Sequence, residues 1–232
     1  MVRSVVFDCA NTLLYLEPSD AEIFRRALIF DRQHFSEFEI AEVIRNQDRV
    51  RSLPSREVDS QTFRRSTYEN FNRLVLRGLG IGQPEPELLK RIENMMGARN
   101  RWTTAPSVGE SLERLSRVAP LYVFSNWSHS LSDTLTLHGL RHFFTAVSSS
   151  AELGLEKPSK SAFEKFMHVH ALDAAATCYV GDDYQLDIRP SYAVGMFPIW
   201  LNATVLPNPL EVTQVGNWVD LEGVLLEWIR GD

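Results

Sequence analysis

Five short apolar runs, at residues 2–7, 121–124, 143–147, 177–180 and 197–201, constrain the fold of this chain more than any other feature. They are rich in β-branched and aromatic residues and lack the 3.6-residue spacing of a helix, so each reads as a buried strand. A segment able to form a helix lies between most of them. Strands that alternate with helices make right-handed crossovers and pair in parallel, which predicts an α/β fold with a doubly wound parallel sheet. With 232 residues and 44% hydrophobic content, the chain can bury such a core without a partner.

The alternation is interrupted once. Residues 16–103 hold no comparable run, and their apolar residues recur at i, i+3 and i+4, as in Phe24/Ala27/Leu28 and Phe71/Leu74/Val75. An all-helical insertion is therefore expected at 16–103, dividing a core made of residues 1–15 and 104–232. Within the insertion, Gly78, Gly80 and Gly82 followed by Pro84 and Pro86 must break helices. Ser19-x-x-Glu22, Ser36-x-x-Glu39 and Ser107-x-x-Glu110 have the spacing of capping boxes, in which Ser and Glu satisfy each other's free backbone N–H groups. Residues 202–217, with Pro207 and Pro209, read as a loop before a final helix from about 220 to 229.

A net charge of -6 gives no reason to expect nucleic acid, whose phosphates call for a basic face, yet leaves room for a small anionic substrate held by a few local cations. The first apolar run stops at Asp8, too early for a membrane span or a signal-peptide core. The two cysteines, Cys9 and Cys178, match no metal or redox spacing and suit a reducing compartment. The expectation is a soluble cytoplasmic protein with no membrane partner. Its oligomeric state is left open.

Four segments carry chemistry. Asp8 ends the first strand in Phe7-Asp8-Cys9-Ala10-Asn11-Thr12, where open α/β sheets bind their ligands. Ser125-Asn126 ends another strand with a hydroxyl and an amide. Lys157-Pro158 precedes a helix start. Gly181-Asp182-Asp183, with Asp187 four residues on, clusters acids after a buried strand, where they repel one another unless a cation is present.

In this order and at these separations the segments resemble the haloacid dehalogenase (HAD) superfamily, over essentially the whole chain. The resemblance implies a Rossmann-like core, with the helical insertion as a cap placed after the first strand. It implies Asp8 as a nucleophile that forms a covalent aspartyl intermediate. Thr12 would hold that carboxylate, Ser125 and Asn126 would bind the transferred group, and Lys157 would neutralise charge on both. Mg²⁺ would be ligated by Asp8, the backbone carbonyl of Ala10 and Asp182, while Asp183 and Asp187 would support the metal or orient Lys157.

One departure matters. Phosphatases of this superfamily carry a second aspartate two residues after the nucleophile as general acid, and here that residue is Ala10. Such a loss lowers rates by about 10²–10⁴-fold, least for good leaving groups. Asn11 stands in place of the usual glycine, and Asn tolerates the left-handed backbone best among other residues. Phosphonoacetaldehyde hydrolase also has alanine there, but it needs an early cap lysine, and only Lys90 precedes the resumed core. The 2-haloacid dehalogenases share Ser-Asn but work without metal and lack an acid cluster in the fourth motif. The resemblance therefore favours a Mg²⁺-dependent phosphatase-type hydrolase, with a 2-haloacid dehalogenase and a catalytically weak binding or regulatory protein as alternatives.

Other residues carry weaker signals. Arg45, Arg49, Arg51, Arg56, Arg64 and Arg65 offer cap cations for an anionic substrate, although most read as a solvated face. His129 is a candidate substitute proton donor. His168, His170 and Trp127 read as structural, and Cys9 as turned away from the site.

Overall fold

A computed structural model describes residues 1–51, 70–96, 101–204 and 206–231, with only the backbone described at 47–51. The chain divides into two compact units, Met1–Tyr15 with Thr103–Asp232, and Leu16–Trp102.

The first unit is built on a six-stranded sheet. In chain order its strands are β1 (Ser4–Phe7), β4 (Leu121–Ser125), β5 (Ala146–Ser149), β6 (Thr177–Gly181), β7 (Phe197–Leu201) and β8 (Thr213–Val215). They lie in the order β5-β4-β1-β6-β7-β8, and every pairing is parallel. The chain steps outward from β1 to β5, returns to the other side of β1 as β6, and steps outward again. This reversal makes a switch point at the carboxyl ends of β1, β4 and β6. All four residues of β1 are buried, as a central parallel strand requires.

Pleating sends successive β1 side chains to opposite faces. Val6 joins Phe124, Tyr179, Phe163 and Phe166 in one apolar cluster, the last two from α8 (Lys160–Val169). Phe7 instead stacks on Trp218 of α10 (Trp218–Arg230) with ring centroids 5.5 Å apart. α5 (Val108–Ser116) packs against α10. Two further short strands, β2 (Leu14–Leu16) and β3 (Trp102–Thr104), pair where the chain passes between the units.

The second unit is helical among its described residues, apart from the strand ends Leu16 and Trp102. It contains α1 (Asp20–Phe30), α2 (Glu37–Arg51), a helical stretch over residues 70–78 (α3) and α4 (Pro86–Met96). Ile23, Phe24, Ala27 and Leu28 of α1 meet Ile40, Phe71, Val75, Leu76, Leu89 and Ile92 in one buried cluster. Leu74, expected on the apolar face with Phe71 and Val75, is exposed. The Gly/Pro-rich stretch separates α3 from α4, Gly80 takes a left-handed φ of 85°, and Pro86 opens α4, where its missing N–H is not needed.

Several local expectations are corrected. The strand expected at 143–147 lies at Ala146–Ser149, because Arg141–Phe143 forms a 3₁₀ turn and Phe144 packs edge-on against Phe7. The loop expected at 202–217 contains β8, and the last helix begins at Trp218 behind an Asn217 cap. Ser107 caps nothing: its φ of 66° is left-handed, whereas a capping side chain needs an extended backbone. Ser36 and Glu39 do form the reciprocal box. Ser19 accepts from Glu22 N–H, but the Glu22 carboxylate turns to Arg25 and Arg26. An unforeseen capping box, Ser149 with Glu152, starts α7 (Ser150–Leu153).

Candidate active site

The backbone of Asp8 extends β1, its N–H donating to Val180 O at 2.9 Å, so its carboxylate emerges at the switch point with 5% of the residue exposed. The chain then turns tightly. The N–H groups of Thr12, Leu13 and Leu14 all donate to Cys9 O, and Asn11 N–H donates to Leu14 O at 2.7 Å. Asn11 takes a φ of 55°, the left-handed conformation expected of it. Trp218 Nε1 pins the turn by donating to Thr12 O at 2.8 Å.

Lys157 reaches the same point from the loop before α8 and is almost wholly buried. Its ammonium donates to Asp8 Oδ1 at 2.7 Å, Asp187 Oδ1 at 2.5 Å and the Tyr179 hydroxyl at 3.1 Å. Three partners use all three donors and fix its direction. Burial alone would pull this ammonium down, but the charges of Asp187 and Asp8 outweigh it and hold Lys157 well above the usual lysine range. The Tyr179 hydroxyl donates in turn to Phe124 O at 2.9 Å. Sequence reasoning gave Tyr179 no part. The signal was a tyrosine inside a buried strand, since its hydroxyl must find a partner there.

The acids after β6 have distinct duties. Asp183 accepts from the N–H groups of Gln185 and Leu186, shaping the π-helical turn Tyr184–Ile188. That turn returns Asp187, whose Oδ2 accepts from Asp183 N–H at 3.1 Å. Asp8, Asp182 and Asp187 can each point an oxygen within 4.8 Å of the others. Burial, then the charges of Asp187 and Asp8, push the Asp182 carboxyl well above the usual carboxylate range. Burial likewise pushes Asp187 up to about 7, against the pull of Lys157.

Ser125 closes β4 at the same end and is buried. The Asn126 amide is spent on the lysine: Nδ2 donates to Lys157 O at 2.9 Å and Oδ1 accepts from Lys157 N–H at 2.8 Å. This positioning duty was not among the roles expected of it. Thr12 is fully buried, and its Oγ1 finds no partner among the described residues. His129 is exposed. His170 lies among Tyr122 and Phe166 and bonds Ser148, while the Trp127 backbone is tied to Ser150. Burial, then Asp8, raise the Cys9 thiol well above its usual range, leaving an inert packed side chain. Arg45 is exposed beside Glu42, and Lys90 is exposed. The side chains of Arg49 and Arg51, and all of Arg56, Arg64 and Arg65, lie outside the described residues.

The sequence model of a family described as haloacid dehalogenase-like hydrolase matches residues 2–193. The chain belongs to this family. Among curated relatives, a bovine (Bos taurus) protein named haloacid dehalogenase-like hydrolase domain-containing protein 3 is 34% identical over 39% of this chain and 35% of its own length. HAD-hydrolase YfnB of Bacillus subtilis is 29% identical over 44% of each. The chain thus aligns with less than half the length of these relatives. A crystal structure of YfnB bound to magnesium superposes with a TM-score of 0.71 at 18% identity, covering 97% of this chain and 98% of that one. A 2-haloacid dehalogenase from Pseudomonas syringae superposes at 0.59 with 22% identity, covering 98% and 100%. These likenesses show the HAD fold, a parallel Rossmann-like core with a helical cap region.

The donor set of this HAD chain fits a hard divalent cation. The buried carboxylates of Asp8 and Asp187 and the half-buried one of Asp182 gather around one ammonium, every candidate donor is oxygen, and no donor among the described residues reaches Asp8 Oδ2 or the Asp182 carboxylate. Without a cation their charges repel one another, one of the causes that raise Asp182 and Asp187. No described helix is long and apolar enough to cross a membrane.

Proposed function

We propose that the chain is a cytoplasmic Mg²⁺-dependent phosphatase-type hydrolase that acts on a small phosphorylated substrate through an aspartyl intermediate. The observation that carries this reading is the cluster of Asp8, Asp182 and Asp187 around Lys157. Asp8 Oδ2 attacks phosphorus and the bond to the leaving oxygen breaks. Water then hydrolyses the acyl phosphate, releasing phosphate and restoring Asp8. Lys157, held by Asp187 and Tyr179, neutralises charge on Asp8 and the phosphoryl oxygens, and Ser125 hydrogen-bonds the transferred group. Asn126 and Asp183 position Lys157 and Asp187, and Thr12 braces the nucleophile turn. Mg²⁺, held by Asp8, the Ala10 carbonyl and Asp182, would supply further positive charge at the phosphoryl group. Ala10 has no proton to give, so the leaving oxygen departs as an anion and takes its proton from water.

The test is hydrolysis of an aryl and an alkyl phosphate, with and without Mg²⁺, by the wild type, Ala10→Asp and Asp8→Asn. The expected result is Mg²⁺-dependent turnover of the aryl ester by the wild type and gained alkyl activity in Ala10→Asp. Wild type and Ala10→Asp no faster than Asp8→Asn would defeat the reading. Chelator-resistant halide release from a 2-haloacid would then make it a dehalogenase, and Mg²⁺ and phosphate binding without turnover a binding protein.

A further inference from the structure

Asp182 stands one residue beyond the end of β6, where the pairing of β6 with β7 has stopped. A side chain takes over there. Trp200, the partner of Gly181 in the register of β7 on β6, donates its indole Nε1–H to the Asp182 carbonyl at 2.8 Å. Only 2% of Trp200 is exposed, so the indole N–H has no water to turn to and must keep this acceptor. The same ring packs on Tyr184, with centroids 5.1 Å apart and planes inclined by 57°. Tyr184 opens the π-helical turn that returns Asp187 to Lys157, and its hydroxyl accepts from Leu210 N–H at 3.0 Å. One tryptophan thus touches the segment between the two acids twice, at the Asp182 carbonyl and at the Tyr184 ring. Holding that carbonyl fixes the rigid peptide plane between Asp182 and Asp183, and with it the direction in which the Asp182 carboxylate leaves the backbone.

We propose that Trp200 is a positioning residue of the cation site, its indole N–H setting the aim of the Asp182 carboxylate and through it the affinity for Mg²⁺. It acts through Asp182 rather than on the substrate, as the supports behind a metal ligand do. The inference rests on the reading of Asp182 as a Mg²⁺ ligand.

The experiment titrates wild type, Trp200→Phe and Trp200→His with Mg²⁺ by calorimetry at about pH 8, where histidine is neutral, with urea unfolding to establish that each variant is folded. Histidine carries Nε2 at the place of the indole Nε1 in the five-membered ring, but it fills less space than phenylalanine. Packing alone therefore ranks Phe above His, and the hydrogen bond ranks His above Phe. Trp200→Phe should weaken Mg²⁺ binding about tenfold, the size of one hydrogen bond, and Trp200→His about threefold or less. A folded Trp200→Phe that binds Mg²⁺ within about twofold of the wild type would overturn the inference, as would weaker binding by Trp200→His than by Trp200→Phe. Failure of both variants to fold would also overturn it and leave Trp200 a core residue. None of these results touches the phosphatase reading, which is judged by aryl phosphate turnover of the wild type against Asp8→Asn. A wild type that binds no Mg²⁺ would remove both.

Discussion

Gly181 is the position where the smallest change should do the most damage. A methyl group there would sit 2.5 Å from Cβ, Cγ and Oδ2 of Asp187. Carbon atoms in contact settle at about 3.5–4.0 Å, so Asp187 must retreat by about 1 Å. It cannot do so freely, because Oδ1 receives Lys157 Nζ and Oδ2 receives Asp183 N–H. Its own carbonyl is also held by the Ser191 hydroxyl. Overpacking of this kind destabilises a core by about 1–3 kcal/mol. A displacement of about 1 Å in a group that aims Lys157 should lower turnover about 10²-fold. Urea denaturation and Mg²⁺-dependent aryl phosphatase assays on Gly181→Ala read both effects. The control is Gly181→Ala in an Asp187→Gly background: alanine at 187 would retain the clashing Cβ, and only glycine removes all three atoms. The stability loss should shrink to within about 0.5 kcal/mol there. An equal loss in both backgrounds would refute the clash and place the effect in the β6 backbone.

Three further perturbations bear on other parts of the first unit. Tyr179→Phe leaves Phe124 O and one Lys157 donor unpaired in a buried place. It should lose about 1–3 kcal/mol in urea unfolding and about tenfold in turnover, and unchanged values would remove Tyr179 from the lysine's support. Asn126→Ala deletes both bonds to the Lys157 backbone; turnover should fall about tenfold or more for a stability change of about 1–2 kcal/mol, and a rise in KM alone would instead mark a substrate contact. Burial holds the His170 imidazole below its usual range, so the native state binds fewer protons there than the unfolded chain does. Its contribution is present above about pH 6.5 and declines as pH falls through that value toward the folded pKa. Urea midpoints at pH 7.5 and 5 should therefore drop more for the wild type than for His170→Gln, and parallel drops would exclude the histidine.

The interior of the sheet was legible because burial on both faces leaves a compositional mark: β1, β4, β6 and β7 lie in or beside runs of apolar residues. β5 was read two to three residues early and β8 was read as loop, for a shared reason. The later half of β5 is Ser148-Ser149, whose hydroxyls are buried but satisfied, one by His170 and the other by the N–H of Glu152. β8 is Thr-Gln-Val at the sheet edge, where one side lacks a neighbour and polar residues are tolerated. Ser107 failed for the opposite reason. Its spacing to Glu110 was right, but spacing carries no information about φ, and Ser107 enters α5 in a left-handed conformation that turns its hydroxyl away from the cap.

At the site, sequence position indicated which strand ends carry functional groups, and the sheet order then places those ends side by side. What sequence position could not convey is direction. Asn126 follows Ser125 in a strand that ends at the site, yet its amide points along the backbone of Lys157, 31 residues later. Asp187 lies five residues past Asp182, and an ordinary helical turn would not return it to the cluster in the same way. The π-helical turn capped by Asp183 does, and it leaves Gly181 without room for a side chain. The side chains that aim Lys157, namely Tyr179, Asp187 and Asn126, therefore come from separate segments, and each is held by hydrogen bonds that exist only once the sheet has formed. Such a lysine is preorganised by the fold, so substitutions in these supports should lower turnover even where Asp8 and Lys157 themselves are untouched.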